Sequence, residues 1–129
     1  MSEIHPTAII SDNAEIGKNV KVGPYAVIED NVKIGDDCLI KNGANILPYT
    51  TIGKNCRIFQ HSVIGEIPQD LKFEGEQSET VIGDNTTIRE FVTINRGTKD
   101  REKTIIGNDC LLMAYVHIAH DCQVGDGVI

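Results

Sequence analysis

Residues 16–52 read IGKNVK VGPYAV IEDNVK IGDDCL IKNGAN ILPYTT I, and every group of six opens on Ile or Val. The aliphatic positions are Ile16, Val22, Ile28, Ile34, Ile40, Ile46 and Ile52. Outward from this stretch the frame runs back to Ile10 and Ile4 and on to Ile58 and Ile64. It resumes in phase at Ile82, Ile88 and Ile94, and again at Ile106, Leu112, Ile118 and Val124, which makes eighteen hexads. A strict six does not fit the 3.6-residue stripe of a helix. Side chains two apart on a strand share a face, so the fourth residue after each aliphatic points inward with the next aliphatic.

That fourth position is small or β-branched: Ala8, Ala14, Val20, Ala26, Val32, Ala44, Thr50 and Ser62. All four cysteines, Cys38, Cys56, Cys110 and Cys122, fall in the same column, which predicts buried thiols behaving as small hydrophobes in a reducing compartment. C-x-x-C metal spacing is absent. Gly often follows the aliphatic, as at Gly17, Gly23, Gly35, Gly53, Gly83 and Gly107. The reading is that its backbone freedom serves a repeated corner. Three short strands per coil give a triangular prism of parallel strands, six coils stacked to roughly 29 Å.

Composition agrees. The 129 residues include no Trp, three Tyr and three Phe, so aromatics do not fill the interior. Nineteen acidic against 12 basic residues, net charge −7, argue against nucleic-acid binding through bulk positive charge. No apolar run approaches the roughly 20 residues of a transmembrane helix, and the start of the chain has neither the basic flank nor the apolar stretch of a signal peptide.

The repeat breaks twice. Twelve extra residues separate the hexads of Ile64 and Ile82, with Asp70 and Glu76 in phase, and six separate those of Ile94 and Ile106, with Asp100 in phase. Acidic residues cannot replace core aliphatics, so two loops are expected, at about 66–80 and 96–104, within one domain covering 1–129. Counting faces from Ile4 puts both loops at the corner between the second and third faces, one coil apart. His120 and Asp121 turn the same corner in the next coil. Loops gathered at one edge of a rigid solenoid are where function is expected. The second loop brings Arg96, Lys99, Arg101 and Lys103 into an otherwise acidic protein, a cluster suited to an anionic partner or a phosphate.

His117 and His120 flank the inward Ile118, so neither is a core residue. His titrates near neutrality and suits a general base for a hydroxyl. Metal binding needs a third ligand, and none lies nearby in sequence.

The [LIV]-G-x-x-small-x hexads resemble those of the hexapeptide acyltransferases, which implies a left-handed parallel β-helix. Three segments narrow the resemblance: GEIPQDLKFEGE at 65–76, IREFVTINRGT at 88–98 and HIAHDC at 117–122. Together they are similar to the acyltransferases that acylate UDP-N-acetylglucosamine at the glucosamine 3-position, the first step of lipid A biosynthesis. The resemblance implies direct transfer of a 3-hydroxyacyl chain from acyl carrier protein, whose acyl-phosphopantetheine is a substrate, with no cofactor. It makes His120 the general base and Asp121 its acidic partner. Asp70 and Lys72 contact the nucleotide sugar; Gln69 and His117 line the pocket. It further implies a cytoplasmic homotrimer of a Gram-negative bacterium, with each site between two subunits. Asn95 stands where many relatives carry His. The chain stops in mid-hexad, so the family's further coils, C-terminal helical domain, oxyanion-hole amide, acyl-chain pocket and uridine contacts are expected to be missing. A fragment with an open apolar end is expected to self-associate. Two other readings are a metal-dependent trimer of γ-carbonic-anhydrase type, which shares the fold, and a non-catalytic solenoid.

Overall fold

A computed structural model describes residues 2–129. Every hexad of the sequence frame contributes one short strand, and the eighteen strands form three six-stranded parallel sheets. The first sheet contains β1 (Glu3–Ile4), β4 (Lys21–Val22), β7 (Leu39–Ile40), β10 (Arg57–Ile58), β13 (Thr87–Ile88) and β16 (Leu111–Leu112). The second contains β2 (Ile9–Ile10), β5 (Val27–Ile28), β8 (Asn45–Ile46), β11 (Val63–Glu66), β14 (Thr93–Asn95) and β17 (His117–Ile118). The third contains β3 (Glu15–Ile16), β6 (Lys33–Ile34), β9 (Thr50–Ile52), β12 (Glu79–Ile82), β15 (Lys103–Ile106) and β18 (Gln123–Val124). Each strand is too short to stand alone and pairs only with the coils before and after it, in a register that sets aliphatic on aliphatic. Ile58 lies between Ile40 and Ile88, and Ile64 between Ile46 and Ile94. This is a parallel β-helix of six coils.

The inward columns are sealed in the middle coils. Ile40, Ile46, Ile58, Ile64, Ile88, Ile94 and Ile106 are fully buried, whereas Ile4 is half exposed. Ile118 and Val124, in the last coil, are partly exposed. Cys122 corrects the sequence reading: its column points inward, but the residue is exposed, while Cys38, Cys56 and Cys110 are buried.

Each corner has its own chemistry. From the third face to the first runs a glycine ladder, Gly17, Gly35, Gly53, Gly83 and Gly107. None of these has a positive φ, and the expected reason for them is therefore corrected. A Cβ on Gly35 or Gly83 would stand 2.7 Å from the backbone of the next coil's glycine, so the corner needs room rather than unusual angles. Beside it, Asp and Asn carboxyl or amide oxygens accept backbone N–H groups of the coil before: Lys18 to Asp36 and Lys54 to Asp84, both 2.8 Å, and Asp84 to Asn108, 2.7 Å. The buried thiols join in, Cys38 Sγ donating to the Gly53 carbonyl at 3.0 Å and Cys56 Sγ to that of Gly83 at 3.0 Å. The left-handed backbone sits two residues beyond each glycine, at Asn19, Asp37, Asn55, Asn85 and Asp109. Asn and Asp tolerate that region best after glycine. From the first face to the second, the same position carries His61, Phe91 and Tyr115, stacked with ring centroids 5.4 Å apart.

Candidate active site

Both interruptions leave the second sheet and return to the third. Segment 67–78 lies between β11 and β12, and 96–102 between β14 and β15. Both are shorter than the expected 66–80 and 96–104, because strand pairing runs into them: Glu66 pairs with Asn95, and Glu79 and Thr80 pair with Lys103 and Thr104. Gly65 opens the first segment with a φ of 92°, which favours glycine. The segments meet where Glu76 Oε2 accepts the backbone N–H of Lys99 at 3.2 Å. That bond and one from the Glu74 N–H, the larger influence, hold the Glu76 carboxyl below its ordinary pKa.

His120 and Asp121 turn the corner just beyond β17. His120 Nδ1 lies 3.0 Å from Asp121 Oδ2. The Asp121 carboxylate is held from the second loop, with the backbone N–H of Thr98 donating to Oδ1 at 2.7 Å and the Thr98 hydroxyl donating to Oδ2. Its own backbone N–H donates to Thr104 Oγ1 at 2.9 Å. Burial would raise the Asp121 pKa, but the Thr98 and His120 hydrogen bonds outweigh it and hold the acid below its usual value. An ionised carboxylate only accepts, so His120 donates from Nδ1, and in the neutral ring the lone pair is on Nε2. Nε2 faces Asp70 Oδ2 at 3.8 Å. The adjoining cleft of about 40 Å³ is lined by Asp70, Lys72, Glu76, Thr98, Lys99 and Asp100.

The other sequence candidates divide. Asp70 and Lys72 share the cleft, and the Lys72 N–H donates to Asp70 Oδ1 at 2.9 Å. Gln69 is exposed on the first loop. His117 is exposed on the outer face of the second sheet, its Nδ1 2.8 Å from Thr93 Oγ1, so its partner is that hydroxyl. Lys99, Arg101 and Lys103 are exposed, but Arg96 does not belong with them: it is buried, its Nε–H donating to the Gly65 carbonyl at 3.0 Å. Its guanidinium lies 6.0 Å over the Tyr49 ring. Of the four cations read from the sequence, three are exposed and one is buried. Asn95 is also buried, and its Nδ2 has no hydrogen-bond partner. Thr98 and Thr104 were not singled out by sequence reading. Thr98 stood inside a quoted motif, but only the folded second loop shows where its hydroxyl goes. Among the described residues, no group of three or more His, Cys, Asp or Glu side chains is placed to hold a metal ion.

The model of the GMPPB C-terminal domain matches residues 4–105, and that of the bacterial transferase hexapeptide (six repeats) matches 103–129. An acyl-(acyl-carrier-protein)–UDP-N-acetylglucosamine O-acyltransferase of Thermodesulfovibrio yellowstonii is 52% identical over 100% of this chain and 50% of its own. That of Chlorobaculum parvum is 57% identical over 95% of this chain and 46% of its own. The crystal structure of a UDP-N-acetylglucosamine acyltransferase from Bacteroides fragilis superposes with a TM-score of 0.96 at 52% identity, covering 98% of this chain and 50% of that one. Prism, hexads and loop corner thus define a hexapeptide-repeat transferase fold, wound as a left-handed β-helix. Within that class, the chain belongs to the UDP-N-acetylglucosamine O-acyltransferase family. It spans about half the length of the curated relatives it matches.

Proposed function

We propose that this chain carries the general-base half of an acyl-transfer site. It would serve transfer of a 3-hydroxyacyl chain from acyl carrier protein to the glucosamine 3-hydroxyl of UDP-N-acetylglucosamine, the first step of lipid A biosynthesis. The observation that carries the reading is the Nδ1 contact of His120 with Asp121, which leaves Nε2 on the Asp70 side of the ring, free in the neutral imidazole to accept a proton. In the reaction Nε2 takes the proton of the 3-hydroxyl as its oxygen attacks the thioester carbonyl. The C–S bond breaks, and the imidazolium returns the proton to the departing phosphopantetheine sulfur. The products are a sugar ester and a free thiol. Asp121 orients the ring and, with Asp70, compensates the charge that forms on it. No covalent enzyme intermediate and no cofactor take part.

Asp70 and Lys72 contact the sugar, and Gln69 and His117 line its approach. The cleft is far smaller than a nucleotide sugar. This supports a homotrimer in which a neighbouring chain supplies the opposite wall. The setting is the bacterial cytoplasm; no helix among the described residues is long and apolar enough to cross a membrane. The relatives are named as acyltransferases, which does not favour the γ-carbonic-anhydrase reading.

The test is acyl transfer from 3-hydroxyacyl carrier protein to UDP-N-acetylglucosamine by the assembled chain. His120→Ala is expected to lower turnover roughly 10²–10⁴-fold, the usual range for a general base. An undiminished His120→Ala variant overturns the reading.

A further inference from the structure

Thr98 is buried to 4% exposure, and all of its polar groups are engaged. Its N–H and hydroxyl both donate to the Asp121 carboxylate, its hydroxyl oxygen accepts the Asp100 N–H at 3.2 Å, and its carbonyl accepts the Glu102 N–H at 2.6 Å. Gly97 makes the approach possible, since a Cβ there would meet the Glu102 carbonyl carbon at 2.6 Å. The second loop thus grips a carboxylate that belongs to the following coil. The grip is two-point, one donor to each oxygen, and it fixes both the position and the rotation of the group that His120 leans on. A loop that only closed the solenoid would need neither bond.

We propose that Thr98 is the positioning residue of the His120–Asp121 pair: through its two hydrogen bonds to Asp121 it sets the tautomer and proton affinity of His120. The proposal rests on the reading of His120 as the base. Thr98 draws carboxylate charge toward itself and away from the ring. The charged groups facing His120 are Asp121 from its own turn and Asp70 from the first loop, while Lys72, Glu76, Lys99 and Asp100 line the cleft that Asp70 shares. Removing the Thr98 hydroxyl changes only the hydrogen bonding of Asp121 within that set and frees the Asp100 N–H.

Nitrogen NMR of the His120 ring tests this in the chain as it stands, without any need for turnover. The parent ring is expected to be the Nδ1–H tautomer. Thr98→Val keeps the backbone bond to Oδ1 and the side-chain volume but deletes the hydroxyl donor. It is expected to move the His120 nitrogen resonances and their pH dependence away from the parent's, upward in pH, with Thr98→Ser restoring the parent behaviour. In an Asp121→Asn background the same exchange should produce no further shift. Thr98→Ala, which cannot overpack, repeats the reading should the Val chain not fold. An unmoved midpoint, a Ser variant that behaves like Val, or a shift that persists without the Asp121 charge overturns the proposal. A shift as expected in a protein whose His120→Ala variant still transfers acyl chains leaves the positioning role standing and removes the base assignment alone.

Discussion

A Cβ on Gly35 would stand 2.7 Å from both the carbonyl carbon and the carbonyl oxygen of Gly53, one coil further along the prism. The backbone at Gly35 is ordinary, so the constraint lies between coils. Gly35→Ala must therefore push two coils apart at a corner stitched by hydrogen bonds on both sides, and a cost of about 1–3 kcal/mol is expected. Gly125 occupies the same column in the last coil with nothing within 4 Å. Gly125→Ala should change stability by less than about 0.5 kcal/mol. Urea unfolding of the two variants separates the explanations: an equal cost at both positions would mean that local backbone conformation, not inter-coil contact, selects glycine here.

The prism was legible because one side chain in every six repeats its environment, so Ile28, Ile46 and Ile64 announce their burial by spacing alone. The same regularity misled at the corners. Gly recurs there and invites a conformational reason, whereas the left-handed residues are Asn19, Asn55 and Asn85, two positions on. Their repetition was available in the sequence as a column of Asn and Asp three residues after the aliphatic. Site residues outside the frame were harder. His120 and Asp121 keep the hexad phase, so counting placed them at the loop corner. Arg96 and Thr98 follow β14 with no phase to carry them, and their burial depends on how the second loop folds under the first. The backbone bond from Arg96 N to the Glu66 carbonyl, 2.8 Å, joins segments thirty residues apart that no local pattern connects.

Thiol labelling distinguishes column phase from true burial. Cys38, Cys56 and Cys110 are buried and donate to carbonyls of the next coil, while Cys122 is exposed. Native protein treated with an excess of a water-soluble disulfide reagent should release one equivalent quickly and the other three only on unfolding. Cys122→Ser should abolish the fast phase. Fast labelling of any second thiol would contradict the sealed interior of the middle coils.

The Asp121 carboxyl is held below the usual range chiefly by the two Thr98 hydrogen bonds, against the opposing effect of burial, with His120 contributing further. In the unfolded chain it titrates near the ordinary value of about 3.9. Its ionised form therefore contributes stability above that pH, and the contribution is lost as pH falls toward the folded-state value. Asp121→Asn should be less stable than the parent at pH 6, with the gap closing as pH drops below about 4. A gap that stays constant from pH 6 to pH 2.5 in denaturant titrations would show that the loss comes from packing rather than from charge.

The second loop's cations serve two purposes, and mutation separates them. Arg96 supplies the hydrogen bond that satisfies the Gly65 carbonyl inside the corner. Arg96→Ser leaves that buried acceptor unpaired and opens a cavity, so a loss of about 1–3 kcal/mol is expected. Lys99, Arg101 and Lys103 are exposed, and replacing all three with Ser should leave stability within about 0.5 kcal/mol. If the anionic partner of this surface is the acyl carrier protein of the proposed reaction, the triple variant binds it more weakly, and the parent's affinity falls as salt is raised while the variant's hardly changes. Titration of acyl carrier protein at two ionic strengths reads both quantities. Unchanged binding by the triple variant would move the dock away from this loop, whereas a loss of binding only in Arg96→Ser would trace it to the corner's shape and not its charge.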